Sequence, residues 1–428
     1  MAKLIAQMAA LTGGRLIGAT LVFLITLLLA RSFESDILAS YSLALSAASI
    51  LSVLLPLGFH AIATLFAAEY RSLGKHQELS AFAKYAHTIT FQNAALVLAV
   101  VAAGSFFLPE HTSYDVQTLA VFSAVVGYFM ATIYLNSALL IGVEDHYWAH
   151  LPDMVVRPAV LLVILFLLGW AGLKSITFVL AALLGTLVLT SAFQSWALRE
   201  RLPHGNNEPI TPETQESEKK KWWQIAPDHM KITLLWDYFF EFHILLAGLL
   251  FIPEQVAALF VCFRIRQLAG FGLRSVYSLR LPKVMAANAH EDKEEAQRLL
   301  GSVVRLSCAY ALLVWAGIAF AGPYVLQIFG PEYADAQIIL LTLMATIVVR
   351  GVFGPSAVVL GMARHASFVV KILFSSLVLS LLLMWAGSTY FGLWSVAGAY
   401  FISTTFSAIA IWWAAKSRAN LNTAIWSK

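Results

Sequence analysis

The chain has 428 residues, of which 60% are hydrophobic and only 12% charged, and its mean hydropathy is +0.76. This composition excludes an ordinary soluble domain, in which about a quarter of the residues carry charge, and predicts an integral membrane protein. The formal net charge of +4 does not point to nucleic acid, because the Lys and Arg residues lie mostly in short turns between apolar runs and form no patch on a polar domain.

Apolar stretches recur along the whole chain, and with turn residues as boundaries they predict helices near 14–31, 37–66, 86–108, 116–142, 152–170, 175–197, 231–251, 255–278, 300–321, 334–360, 368–386 and 393–415. The first run is about one span long, continues into further spans and lacks a clear Ala-x-Ala site, so it reads as helix 1 and not as a cleaved signal. If the amino terminus is cytoplasmic, most Lys and Arg fall on that side, and only Lys174 and the span-end Arg31 fall opposite. The opposite turns carry Glu34, Asp36, Glu110, Asp115, Glu254, Glu332 and Asp335. The positive-inside rule therefore predicts both termini in the cytoplasm.

The turn after helix 4 departs from that rule, since Glu144, Asp145, His146 and His150 precede Arg157; it reads either as a gate or as a solvated turn. The one long polar stretch, 199–230, contains Pro203, Pro209, Pro212, Pro227 and Lys219-Lys220-Lys221. It divides the chain into an amino-terminal lobe (1–198), a cytoplasmic linker (199–230) and a carboxy-terminal lobe (231–428). Trp222-Trp223 and Trp412-Trp413 read as interfacial anchors, and 286–298 as a charged cytoplasmic extension of helix 9. Cys262 and Cys308 lie in apolar segments, so no disulfide is expected.

The halves repeat. Ser137-Ala138, Gly142 and His146 recur 219 positions later as Ser356-Ala357, Gly361 and His365. Asp115 and Gln117 recur 220 positions later as Asp335 and Gln337, and Gly172-Leu173-x-Ser175 recurs as Gly392-Leu393-x-Ser395. Six spans per repeat is an even number, so the two halves run parallel, and the expected fold is an all-α membrane protein of about twelve helices in two six-helix lobes.

Several local patterns resemble the polysaccharide-transporter (Wzx-type) flippases of the MATE-like superfamily. They are Gly58 leading to Ala67-Ala68-Glu69-Tyr70, the acid Asp237, Phe263-Arg264-Ile265-Arg266 followed by Pro282, Phe329-Gly330-Pro331-Glu332-Tyr333-x-x-Ala336, and Gly361-x-x-Arg364. The resemblance implies two lobes around a central cavity lined by helices 1, 2, 7 and 8. It also implies transport of undecaprenyl-pyrophosphate-linked oligosaccharide across a bacterial inner membrane, alongside polysaccharide polymerase and export machinery. The related peptidoglycan-precursor flippases carry two further helices, for which this chain has no room.

Ionisable groups at bilayer depth are costly and face a cavity or one another. Here they are Asp237, Glu241 and His243 on helix 7, Arg264 and Arg266 on helix 8, and Arg350 on helix 10, with Arg15 near the end of helix 1. Asp237 and Glu241, at i and i+4, are expected on one face, whereas Arg264 and Arg266 point apart. Two readings stand. In one, the helix 7 acids neutralise the helix 8 arginines. In the other, at least one of Arg264, Arg266 and Arg350 holds a pyrophosphate, which a guanidinium fork matches bidentately. Arg15 reads either as a cavity cation or as a snorkelling helix end, His60 as a hydrogen-bonded packing residue, and Asp237, Glu241 or His243 as ion-coupling groups. No metal or cofactor is expected, and no phosphate-binding Gly-x-x-x-x-Gly-Lys-Ser/Thr occurs.

Three functions compete: a lipid-linked oligosaccharide flippase, an ion-coupled small-molecule exporter, and a membrane saccharide polymerase or ligase. The short external turns disfavour the enzyme. A major-facilitator transporter is disfavoured by Arg71-Ser72-Leu73-Gly74-Lys75, which lacks that family's signature.

Overall fold

The computed structural model describes residues 2–104, 114–202, 211–290, 292–362, 365–419 and 421–426. The long elements among them are all helical and no strand occurs, as expected where hydrocarbon offers no partner to backbone polar groups. Among the described residues eleven helices are long and apolar enough to cross a membrane, or twelve if one bent pair is a single span. The expected twelve-helix architecture is therefore present, and its seventh member is the bent one.

The chain divides into two compact units, Met1–Leu245 and Leu246–Lys428. The first contains α1 (Ala2–Ser32), α2 (Ser35–Leu54), α3 (Phe59–Ser72), α4 (His76–Gly104), α5 (Val116–Gly142), α6 (His146–Leu151), α7 (Arg157–Trp170), α8 (Ile176–Arg201) and α9 (Pro212–Asp237). A π turn, Pro152–Val156, joins α6 to α7. Small residues bring these helices together: Gly127 of α5 faces Ala48 and Leu51 of α2, and Gly142 faces Thr64 and Ala67 of α3, where a side chain would collide.

Much of the stretch 199–230 is helical. From Pro212 onward it belongs to α9, which packs on the first unit, while 203–210 lies outside the described residues. Trp222 is not an interfacial anchor. It is fully buried in a cluster with Phe59, Phe82 and Leu79, and its ring meets Phe82 edge-on at 5.1 Å. Trp222 Nε1 donates to the Tyr70 hydroxyl (2.7 Å), which in turn donates to the Glu218 carboxylate (2.6 Å). Gly58 adopts φ +92°, and a side chain there would strike the Ala226 carbonyl of α9.

After α10 (Phe239–Leu250), which spans the boundary between units, the second unit contains α11 (Pro253–Ala289), α12 (Lys293–Phe329), a 3-10 turn (Pro331–Ala336), α13 (Gln337–Phe353), α14 (Ser356–Met362), α15 (Ala366–Phe391) and α16 (Trp394–Arg418). The sequence repeat has a conformational basis here. Gly172 follows α7 and Gly392 follows α15 with φ +73° and +51°, positive values that glycine adopts most cheaply. Cys262 and Cys308 are buried thiols.

Candidate functional site

The candidate cations are arranged by α11, α13 and α16 of the second unit. Arg264 lies over its own-helix Phe260 ring at 4.6 Å and donates to Gln267 Oε1 at 2.7 Å. Arg266, two residues on, points elsewhere. Its Nε donates to Thr346 Oγ1 of α13 at 2.8 Å, and its guanidinium sits 4.8 Å from the centre of the Tyr400 ring of α16. Thr346 is fully buried and Tyr400 nearly so. Thr346 and Arg350 are one turn apart on α13, so they share a face, and the charges of Arg350 and Arg274 both act on Arg266. Tyr277 of α11 donates to the Arg350 carbonyl at 3.3 Å. Arg264, Arg266 and Arg350 are all half-buried.

The carboxylates of this unit lie at or near helix ends. In sequence there is no Asp or Glu between Glu254 and Glu291, between Glu295 and Glu332, or after Asp335. The spans of α11 and α13 are thus rich in arginine, while the unit's own acids lie at or near helix ends. Sequence reading found the arginines but missed Thr346 and Tyr400, whose roles depend on contacts across helices. The acid-free run after Asp335 was the signal available for the charge imbalance.

The acids behave differently from the expectation that they share one face. The chain turns by 65° between α9 and α10, with Tyr238 non-helical at φ −112°, ψ 23°. The i,i+4 relation fails across such a break: Asp237 is exposed and Glu241 is buried. His243 is fully buried, and its Nδ1 faces the Phe239 carbonyl at 2.9 Å, which fixes the proton on that nitrogen. Glu241 acts on the hydroxyls of Tyr238 and Tyr134, which pair with each other, and Tyr134 stands beside the ion pair Asp153–Arg157 (2.7 Å). That pair lies at the π turn, a distortion frequent at functional sites, and was not anticipated from sequence.

The remaining candidates are dispersed. Arg15 is exposed, with its charge felt by His150. His60 is buried, but neither ring nitrogen has a hydrogen-bond partner among the described residues, which corrects its reading as a bonded packing residue. The turn after helix 4 is tied down by Arg71–Glu144 at 3.2 Å and by Arg201–Asp145. Among the described residues no cluster of His, Cys, Asp or Glu could hold a metal ion.

This architecture is that of the MATE transporters. An inward-facing multidrug resistance MATE family transporter of the MOP superfamily superposes with a TM-score of 0.78 at 15% identity, over 94% of this chain and 95% of that one. An outward-facing one gives 0.64 at 16%, over 96% and 95%. A MOP superfamily transporter from Pyrococcus furiosus, described as having a binding pocket of reverse polarity that suggests a different function, gives 0.62 at 16%, over 96% and 95%. No family model matches the sequence, and no curated protein does.

Proposed function

We propose that this chain is a flippase of a bacterial inner membrane that moves undecaprenyl-pyrophosphate-linked oligosaccharide between leaflets by alternating access. The observation that carries this reading is the run of arginines along the spans of the second unit, whose carboxylates lie only near helix ends. An anionic pyrophosphate is the kind of group that guanidinium forks bind bidentately. Arg264, Arg266 and Arg350 are its ligands, with Arg15 receiving the head group near the membrane edge. The saccharide cannot cross about 30 Å of hydrocarbon unaided, so a protein path shields it while the lipid tail stays in the bilayer. Both termini are cytoplasmic in this reading, the lobes are 1–198 and 231–428, and Asp237, Glu241 and His243 couple transport to an ion.

The second reading is an ion-coupled small-molecule exporter, favoured by the fold of the multidrug transporters and by the buried Glu241 near Tyr134 and the Asp153–Arg157 pair. Proteoliposomes separate the two. Translocation of labelled lipid-linked saccharide is expected; its absence together with ion-driven efflux of a small organic cation would replace the flippase with the exporter.

A further inference from the structure

α13 stops at a break that the sequence imposes. Gly354 adopts φ +62° and Pro355 has no N–H, so the Gly351 carbonyl loses its helical donor and those after it are left open. Part of the repair comes from the segment that follows α16. Ile425 N donates to the Val352 carbonyl at 2.9 Å, and Thr423 Oγ1 pairs with Ser356 Oγ at 2.5 Å, while Ser356 Oγ also reaches the Phe353 carbonyl at 2.8 Å. Gly354 has no side chain where one would meet the Thr423 carbonyl at 2.7 Å.

The segment is itself anchored on both sides. Asn422 N donates to Gln297 Oε1 of α12 (2.9 Å), Gln297 Nε2 donates back to the Asn422 carbonyl (2.8 Å), and Trp412 Nε1 donates to Asn422 Oδ1 (2.9 Å). Trp426 packs edge-on to Phe353 and Trp412 at 5.7 and 5.5 Å. Leu421, Thr423 and Ala424 are buried. Such bonding is far denser than an exposed tail needs, and it converges on the last turn of α13, where Gly354 N donates to the Arg350 carbonyl at 3.0 Å.

We propose that residues 421–426 form a positioning strap, which supplies the bond that the Val352 carbonyl lacks at the 354–355 break, holds Ser356 through Thr423, and so fixes the direction in which Arg350 enters the site. The role in the site rests on Arg350 being an anion ligand as proposed above; the repair of the break does not. Two measurements on the full chain in nanodiscs separate these parts. The double variant Asn422→Ala/Thr423→Val should raise hydrogen exchange of 350–358 about tenfold while leaving α15 unchanged. It should also weaken binding of inorganic pyrophosphate about as much as Arg350→Ala does, and combining all three changes should be no worse than Arg350→Ala alone. Unchanged exchange overturns the strap, and additive losses overturn the positioning of Arg350. If Arg350→Ala binds pyrophosphate normally, the anion site falls, whereas the exchange result still decides the strap. Ser356→Cys/Thr423→Cys, built with Cys262→Ala and Cys308→Ala, should bind pyrophosphate equally well oxidised and reduced. Loss on oxidation would mean that the segment must detach, which contradicts a fixed strap.

Discussion

Arg266 has its guanidinium oriented before any ligand arrives. Thr346 Oγ1 takes its Nε at 2.8 Å and the Tyr400 ring lies under its face, which leaves the two terminal nitrogens as a fork. Arg266→Ala or Arg350→Ala is expected to abolish saccharide transport with normal membrane insertion, and Arg266→Lys to keep part of it, since charge survives but the fork does not. The finer test is Thr346→Val, which preserves shape and strands the Nε donor. A buried donor left unmet costs about 1–3 kcal/mol, so pyrophosphate affinity should fall roughly tenfold, as read by titration calorimetry. An unchanged affinity would show that Thr346 does not orient the guanidinium. Arginines inside apolar runs stand out in the sequence, but the groups that orient them come from helices about 80 and 134 positions away in chain order and leave no local pattern.

At the scale of an element, α9 is the surprise. Its first half is polar, with Lys219-Lys220-Lys221, and hydropathy reads such a stretch as solvated linker. Composition does not tell whether one face of a polar helix has a partner; the face bearing Glu218, Trp222 and Ala226 finds α3 and α4. Glu218 lies outside the predicted span. Burial alone would push its carboxyl up, but hydrogen bonds from Lys221 and Tyr70 outweigh burial and hold it below the ordinary value of 4.5. A depressed carboxyl contributes stability above its unfolded value and loses it as pH falls through the folded value. Glu218→Gln should therefore destabilise docking by about 1–3 kcal/mol at neutral pH, seen as faster tryptic cleavage after Lys219 to Lys221. The difference from wild type should shrink once pH drops below about 4.5. A variant cleaved at the wild-type rate at pH 7 would remove Glu218 from the docking of α9. The bend between α9 and α10 was equally hidden, because Asp237 and Glu241 keep helical spacing in sequence while the chain turns between them.

At the scale of the whole molecule, much was legible: the apolar runs, the six-span repeat and its paired glycines Gly172 and Gly392, since period and backbone conformation are both written locally. The division of charge follows from the same reading. The first unit carries buried Glu241 and half-buried Asp153, whereas in the second unit the acids lie near helix ends and the arginines further along the spans. Under the proposed function, ligand charge and driving-ion charge fall on different residues, and the two tasks should fail separately. Glu241→Gln removes a titratable carboxyl at nearly constant volume, so it should leave pyrophosphate affinity within about twofold while removing the response of saccharide transport to an imposed proton or sodium gradient. Arg266→Ala should do the reverse, losing affinity in the absence of any gradient. Proteoliposomes with and without a gradient, paired with titration of the same preparations, measure both. If Glu241→Gln weakens pyrophosphate binding as much as Arg266→Ala, acid and arginine serve one site and the separation of tasks is wrong. If gradients never alter transport, Glu241 is a structural acid, held for the hydroxyls of Tyr134 and Tyr238 near the Asp153–Arg157 pair.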